Sequence, residues 1–381
     1  MRNRPLNYTL RLGVVGALIL IGFLGGAQRI ASASFVNDLL RSAIPLGLPA
    51  DLWDYYIPRD NVLSAPRVEL GRQLFFDKRL SSDGTVSCAT CHDPQQGFAD
   101  GRTVAEGVGQ KRGTRNSPTL LNVLFNPGQF WDGRADTLEE QAVLPLTNPL
   151  EMGNESLEAV IARVSALPEY RVGFVRVFGG GVTSIRMAQA ISNYERTLIA
   201  GDSPFDRFVA GETSAISDEV KRGFALFRGK GRCSRCHTFS EQMPFFTDFA
   251  YHNTGVAARH PNFERLSRVA YDLADKPGTA RMIEELGRHE GGDELGRMLF
   301  SHLVFDLGSF RTPSLRNVAL TAPYFHNGSA KTLEDVVRFY NEGGKANLNR
   351  EWDLNALALS DGEQRDLVAF LQSLTGRIDR Y

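Results

Sequence analysis

Two pentapeptides decide how this chain folds: Cys-Ala-Thr-Cys-His at residues 88–92 and Cys-Ser-Arg-Cys-His at residues 233–237. Together they use all four cysteines of the 381 residues. Cys-x-x-Cys-His is the pattern that attaches a c-type haem, whose vinyl groups bond to the two thiols while the histidine binds the iron. A redox-active Cys-x-x-Cys, half of a zinc site and a chance match are the alternatives, and the second copy argues against each. The pattern predicts two covalently bound haem c groups, held by Cys88, Cys91 and His92 and by Cys233, Cys236 and His237.

The N-terminus has the pattern of a secretory signal peptide. Arginines at positions 2, 4 and 11 precede an apolar stretch over residues 12–27, and Ala-Ser-Ala follows at 31–33. A basic start, a short apolar core and an Ala-x-Ala site are typical of such a peptide. We therefore predict a signal peptide over residues 1–33, cleaved after Ala33, and a periplasmic protein. An uncleaved N-terminal anchor is the alternative, although the apolar stretch is shorter than the roughly 20 residues that span a bilayer comfortably.

Composition narrows the function classes further. The chain is 42% hydrophobic, which is ordinary for a folded protein and argues against disorder. Lys and Arg total 43 and Asp and Glu total 44, for a formal net charge of -1. A near-neutral chain is not a strongly basic nucleic-acid binder, so we expect no nucleic-acid partner.

Similar segments lead into the two motifs. Residues 68–76 and 220–227 each read as an apolar-periodic helix that ends near glycine or aspartate and is followed by a short loop. This weak internal repeat predicts a mainly α fold of two tandem cytochrome c-like haem domains. We assign residues 34–200 to the N-terminal domain and residues 201–381 to the C-terminal domain, with the boundary at a turn-rich segment.

Further helices follow from apolar stripes and capping residues. Few stretches alternate with a period of two, so strands should be minor. The segment from about 260 to 305 is charged and helix-rich. The predicted helices are 137–143 after an N-cap at Asp136, 156–165, 185–199, 332–340, and 361–375 after Ser360.

Several other segments resemble the bacterial di-haem cytochrome c peroxidases and the related MauG enzymes. They include Arg-Asn-Ser-Pro-Thr at 115–119, Phe-Trp-Asp-Gly-Arg-Ala at 130–135, and the runs at 310–317 and 320–328. The similarity extends from about Leu70 to the C-terminus. It implies that the first haem reacts with hydrogen peroxide and that the second takes electrons from a small donor protein, a cytochrome c or a cupredoxin. Family members include dimers, so the resemblance also allows a homodimer.

The resemblance also implies roles for particular residues. Trp131 matches the residue between the haems, and Gln141, Pro145 and Glu151 match the peroxide pocket of the first haem. Glu151 would act there as general acid and base, and Gln141 would hydrogen-bond the peroxide. A calcium ion is implied at Asn116, Thr321 and Pro323, the latter two through their backbone carbonyls.

Two departures bear on the axial ligands. Val108 occupies the position at which many of these peroxidases carry a histidine on the first haem, so we expect that haem to have an open face. Tyr340 occupies the position of a methionine ligand of the second haem, where MauG-type enzymes carry tyrosine. A tyrosine ligand would lower the potential of that haem relative to methionine. For the first haem, the alternative is that the loop shifts and another ligand arrives from elsewhere. For the second haem, the alternatives are that Tyr340 is a core aromatic residue, or that the ligand is Met243, Met282, Met298, His289 or His302.

Three functions follow from this sequence. The first is a periplasmic peroxidase that reduces hydrogen peroxide with electrons from a small redox protein. The second is a MauG-like oxidase that modifies a partner protein, and the third is a non-enzymatic di-haem electron carrier.

His252 and His326 match positions near the second haem, where we expect them to act through hydrogen bonds rather than as iron ligands.

Overall fold

The computed structural model describes residues 44–274 and 276–379, and the predicted signal peptide lies outside them. Helices dominate, as the sequence predicts, and the strands are two or three residues long. No helix in the described ranges is long and apolar enough to cross a membrane. The helices of eight or more residues are α1 (Ala65–Phe76), α2 (Leu138–Thr147), α3 (Leu157–Ala166), α4 (Pro168–Phe178), α5 (Ser184–Glu195), α6 (Asp218–Arg228), α7 (Phe263–Leu273), α8 (Thr279–Gly287), α9 (Leu333–Asn341) and α10 (Asp361–Ser373).

The two helices that lead into the motifs pack in the same way. Helix α1 crosses α5 at Gly71, where an added Cβ would lie 1.9 Å from the carbonyl oxygen of Ala190. Helix α6 crosses α10 at Gly223, where an added Cβ would lie 2.0 Å from the carbonyl oxygen of Asp366. In each pair the backbones approach too closely for any side chain at the crossing. The internal repeat seen in the sequence is therefore a repeat of helix-pair packing.

The apolar side chains form two large core clusters and two small ones, the smallest of which is Ala257, Phe263 and Phe310. The first contains residues between 48 and 200 together with Phe245, and the second contains residues between 205 and 374. The third lies within residues 266–307, around Leu266, Ile283 and Met298, so the charged segment has a core of its own. The division into domains at residues 200 and 201 stays a prediction.

Two small antiparallel sheets join distant parts of the chain. Strand β1 (Ile199–Gly201) pairs with β4 (Arg377–Asp379), in the register Ile199 with Asp379. Strand β2 (Tyr251–His252) pairs with β3 (Phe310–Arg311), in the register Tyr251 with Arg311. The middle of the chain is thus hydrogen-bonded to its last described residues.

Two helix predictions need correction. The predicted helix 185–199 ends at Glu195, because backbone groups beyond it bond to Asn122 instead: Asn122 Oδ1 accepts from the Ala200 N–H, and the Asn122 N–H donates to the Leu198 carbonyl. The cap of α2 is Thr137 and not Asp136, since the Thr137 hydroxyl accepts the Glu140 N–H, and the helix extends to Thr147.

The remaining helix predictions are confirmed to within two residues. Helix α3 begins after Ser156, whose hydroxyl accepts the Ala159 N–H. Helices α9 and α10 begin with reciprocal capping boxes, formed by Thr332 with Asp335 and by Ser360 with Glu363.

Candidate functional site

The first Cys-x-x-Cys-His motif forms one turn of helix followed by a half-buried histidine. Cys88–Cys91 is helical, both thiols are free of disulfides, and the His92 N–H donates to the Cys88 carbonyl at 2.9 Å. The His92 ring donates through Nδ1 to the carbonyl of Phe98 at 3.2 Å. Burial lowers the pKa of His92. The imidazole is therefore neutral, with Nε2 left to bind a metal ion.

The second motif repeats this arrangement. A short helical turn covers Cys233–Arg235, and the His237 N–H donates to the Cys233 carbonyl at 2.9 Å. The His237 ring donates through Nδ1 to the carbonyl of Phe246 at 2.9 Å. Burial lowers the pKa of His237 as well. Both motifs thus present a pair of thiols beside an imidazole whose orientation is fixed by the backbone.

Each motif borders a cavity, and Trp131 borders both. The first cavity, of about 440 Å³, is lined by Cys88, Cys91 and His92. The second, of about 200 Å³, is lined by Cys236 and His237. Trp131 and Asn116 line both cavities, and the Trp131 indole N–H donates to the Asn116 carbonyl at 2.9 Å. The structure therefore brings the tryptophan selected from the sequence between the two motifs.

The three residues matched to a peroxide pocket all line the first cavity. Gln141 and Pro145 lie on α2, and Glu151 follows in the loop after it. The Asn148 side-chain amide donates to Glu151 Oε1 at 2.7 Å. Burial raises the pKa of Glu151, although the charge of Arg134 and the Asn148 hydrogen bond oppose this rise. Glu151 is thus a fixed carboxyl group whose pKa lies closer to neutrality than that of an exposed glutamate.

Val108 is turned away from the first cavity. Its side chain is buried near Gly153, its N–H donates to the Glu151 carbonyl at 2.8 Å, and it does not line the cavity. Among the described residues that line this cavity, the histidine is His92 and the methionine is Met152. Met152 is buried in the first core cluster.

Sequence reasoning missed one buried carboxyl group in the first cavity. Glu195 is only 3% exposed, lines the cavity, and has no hydrogen-bond partner for Oε2 among the described residues. Burial raises its pKa to about 8. The adjacent Arg196 pairs with Glu139 and not with Glu195. The Glu-Arg pair in the sequence gave no sign that the two side chains diverge.

Tyr340 lies in the second cavity with His237. It projects from α9, and its hydroxyl group hydrogen-bonds to Thr254. Burial raises the pKa of Tyr340, so a cation beside the oxygen is needed to favour the phenolate. The Tyr340 ring also contacts the rings of Phe325 and Phe339, at centroid distances of 6.2 and 5.4 Å, so ligation by Tyr340 stays a prediction.

His252 and His326 also line the second cavity, each bonded to carboxylates. His252 bonds through Nε2 to Asp248 and through Nδ1 to Glu351, both at 2.8 Å. Hydrogen bonds to Asp248, to the Cys236 thiol and to Glu351 raise its pKa to about 11. Cys236, Asp248 and His252 form the one group of metal-ligand spacing among the described residues, but Cys236 belongs to the second motif.

His326 is buried and stacks on Phe310, with 3.5 Å between ring centroids. Its Nε2 bonds to Glu294 Oε2 at 2.6 Å. Burial lowers its pKa despite the neighbouring carboxylate. The side chains of both histidines therefore hydrogen-bond to acidic residues.

The residues matched to a calcium site all border the second cavity. The Asn116 amide nitrogen donates to the Arg102 carbonyl at 2.8 Å, and this bond does not occupy the amide oxygen. Thr321 and Pro323 flank Ala322 in the same wall. Calcium accepts such oxygen ligands.

The alternative iron ligands do not reach either cavity. Met298 is fully buried in the third core cluster, and Met243 is exposed on the surface. None of the five alternative ligands lines either cavity: Met243, Met282, Met298, His289 and His302.

The fold and site define a di-haem c-type cytochrome: each of two motifs beside a cavity presents two free thiols and a neutral, oriented imidazole, which is the donor set of covalently bound haem. A sequence model described as di-haem cytochrome c peroxidase matches residues 65–214. The methylamine utilization protein MauG of Methylorubrum extorquens is 37% identical over 321 residues, covering 83% of this chain and 80% of that protein. A cytochrome-c peroxidase of Denitromonas iodatirespirans is 37% identical over 325 residues, covering 84% of each.

Comparison of structures gives the same assignment. The crystal structure of a MauG-like protein associated with microbial copper homeostasis matches with a TM-score of 0.69 and 31% identity, over 84% of this chain and 92% of that one. This chain belongs to the di-haem cytochrome c peroxidase and MauG family, and haem c is its cofactor class. The relatives include both named peroxidases and MauG proteins, so the family leaves the reaction open.

Proposed function

We propose that this protein is a periplasmic peroxidase that reduces hydrogen peroxide to water with electrons from a small redox protein, a cytochrome c or a cupredoxin. The observation that carries the proposal is the first cavity, where Gln141, Pro145 and Glu151 face the same space as His92. Two electrons and two protons convert each peroxide to two waters. A haem held there through Cys88 and Cys91 would supply the iron that binds and cleaves the peroxide.

The chain's own groups manage the protons. Glu151 accepts the proton of one peroxide oxygen and returns it to the other, so that the second oxygen leaves as water. Asn148 holds the Glu151 carboxyl in place. A general base works best with a pKa near the working pH, and burial shifts Glu151 in that direction. Gln141 holds the substrate through its side-chain amide.

The second cavity is the proposed entry point for electrons. His237 and Tyr340 would hold its haem iron, and Trp131 lines both cavities between them. A phenolate ligand stabilises oxidised iron. We propose calcium at Asn116, Thr321 and Pro323, where it would stiffen the wall that both motifs share.

A second candidate is a MauG-like oxidase that acts on a partner protein. The observation that favours it is Trp352, which is 87% exposed and lines a surface depression with Cys236 and Tyr340. Exposed tryptophan is enriched where proteins dock. Such a residue could exchange electrons with a large substrate outside the second cavity.

Stopped-flow mixing of the fully oxidised, haem-loaded protein with hydrogen peroxide tests the proposal. We expect both haem spectra to change without prior reduction, and Glu151→Gln to slow the reaction about 100-fold. Glu155→Gln, at an exposed position in the same loop, is the control and should react like the wild type.

The outcomes separate the candidates. Reaction only after one electron has been supplied would show that a ligand blocks the first iron, and would make the open first haem wrong. No reaction in either state would favour the electron carrier. Rapid peroxide reaction without turnover of reduced cytochrome c or cupredoxin would favour the MauG-like oxidase.

A further inference from the structure

The charged segment that contains α7 and α8 reaches the first cavity. Its third core cluster buries Met298, and the next two residues, Leu299 and Phe300, line the first cavity together with Asp293. Phe300 belongs to a short helix, Met298–Ser301, and the residue is 46% exposed. The segment thus contributes an apolar side chain at the edge of a cavity built mostly by other parts of the chain.

Three polar contacts fix this segment against the site. Glu294 bonds to His326 at 2.6 Å, and Asp293 forms an ion pair with Arg115 at 2.5 Å. The Arg297 guanidinium donates to the carbonyl of Asp132 at 3.1 Å. The contacts of Asp293, Glu294 and Arg297 therefore hold the part of the segment that leads to Phe300.

An opening of about 340 Å³, which we call the vestibule, adjoins the first cavity. Its walls include Phe130, Arg134, Leu144, Pro145, Glu151 and Phe300. Apart from Leu144, which is 44% exposed, all of these residues also line the first cavity. The vestibule therefore leads from the surface to the Glu151 carboxyl.

Arg134 and Phe300 face each other across the vestibule. The Arg134 guanidinium carbon lies 3.5 Å from the ring centroid of Phe130 and 5.9 Å from that of Phe300. The Asp132 carboxylate holds the guanidinium at 2.8 Å, while the Asp132 carbonyl holds Arg297 on the other side. Asp132 thus bonds to Arg134 on one side of the opening and to Arg297, in the segment that leads to Phe300, on the other.

We infer that Phe300 and Arg134 form a gate that admits hydrogen peroxide to the first cavity and excludes bulky organic hydroperoxides. The inference rests on the proposed function, because it assigns the substrate size of that same site. Phe300 has no polar atom to offer a substrate, so its contribution at the opening is steric. Removing the ring widens the opening, and enlarging it narrows the opening.

Size-graded ligands test the gate without peroxide turnover. Cyanide, imidazole and 4-phenylimidazole are mixed with the fully oxidised, haem-loaded protein, and binding at the first haem is followed by stopped-flow absorbance. In Phe300→Ala we expect 4-phenylimidazole to bind about tenfold faster, with the cyanide rate within about twofold of wild type. In Phe300→Trp we expect the binding rate of 4-phenylimidazole to fall most and that of imidazole to fall less, again with little change in the cyanide rate.

Phe305→Ala is the matched control. Phe305 is 86% exposed, lies on the same segment and lines neither cavity nor the vestibule, so all three rates should stay at wild-type values. The same variants are then assayed with hydrogen peroxide and cumene hydroperoxide. Phe300→Ala should raise the ratio of kcat/KM for cumene hydroperoxide to that for hydrogen peroxide.

The results separate the gate from the proposed function. Equal changes for all three ligands, or no change in either Phe300 variant, would overturn the gate. Failure of cyanide to bind the wild type would also overturn it, because the gate requires an open iron face behind it. Size-dependent binding in a protein that does not reduce peroxide would reject the proposed function and keep the gate.

Discussion

Replacing Glu139 by glutamine removes the carboxylate that pairs with the buried guanidinium of Arg196. The pair is bidentate, with N–O distances of 2.7 and 2.8 Å, and joins α2 to α5. The Arg196 side chain is only 4% exposed and that of Glu139 is 22% exposed. Asn61 and Ser192 also donate to the Glu139 carboxylate. Because α2 carries Gln141 and Pro145, this network also positions one wall of the first cavity.

The expected cost follows from the pKa of Glu139. Burial alone would raise it, but the hydrogen bond and charge of Arg196, with the bonds from Asn61 and Ser192, lower it from 4.5 to about 2. That depression corresponds to about 3 kcal/mol, which we reduce to about 2 kcal/mol because the carboxylate is partly exposed and screened by solvent. Removing one partner of a fully buried ion pair costs about 3 to 5 kcal/mol. For Glu139→Gln we therefore expect the free energy of unfolding to fall by about 2 kcal/mol, since glutamine keeps an acceptor oxygen for Arg196.

The pH dependence has a definite sign. A carboxyl group with a depressed pKa in the folded state stabilises the fold above its unfolded pKa, and this contribution disappears as pH falls through the folded value. The difference in free energy of unfolding between wild type and Glu139→Gln should therefore be constant above pH 4.5 and shrink as the pH approaches about 2.

Urea unfolding of the haem-loaded protein, followed by circular dichroism, measures this difference. The control is Glu140→Gln, at the adjacent exposed position of the same helix, with an expected loss below about 1 kcal/mol. A Glu139→Gln loss no larger than that of the control, or a loss that grows on acidification, would refute the reasoning.

Three further predictions follow from the same structure. Gly71→Ala should destabilise the fold by about 1 to 3 kcal/mol through the clash at the α1–α5 crossing. Gly362→Ala, in the first turn of α10, should cost nothing in the same urea assay, because the nearest atoms to an added Cβ lie 3.9 Å away, an ordinary contact distance. Tyr340→Met should raise the midpoint potential of the second haem in a spectroelectrochemical titration, and an unchanged potential would exclude ligation by Tyr340. The kcat/KM for peroxide should fall as pH drops through the raised pKa of Glu151, because the protonated group no longer accepts a proton, and persistence of this acid limb in Glu151→Gln would assign it elsewhere.

Local signals account for what the sequence predicts well. Each haem motif lies within five consecutive residues, and the capping boxes of α9 and α10 lie within four. The similar helices α1 and α6 were visible as a pattern, whereas the role of Gly71 and Gly223 at their crossings became clear only in three dimensions. The end of α5 was misjudged because Asn122, far away in the chain, supplies the competing hydrogen bonds.

Long-range packing accounts for what the sequence did not reveal. Glu195 and Arg196 are adjacent, yet one faces the first cavity alone and the other reaches Glu139, 57 positions away. Phe300 stands in the charged segment, and its place at the vestibule depends on contacts from neighbouring residues to Asp132 and His326. Such contacts leave no periodic or motif-like trace along the chain.

The pairing of β1 with β4 joins the last described residues to the middle of the chain. The last described residues bond to Ile199–Gly201, and nearby the buried Arg316 forms an ion pair with Asp206 at 2.9 Å. A cut in the exposed turn at residues 211–214 would therefore leave two fragments that share a sheet and a buried ion pair. The fragments should remain associated without a peptide bond and separate only in denaturant. Fragment complementation of this kind would make each haem site accessible to independent mutagenesis or isotope labelling.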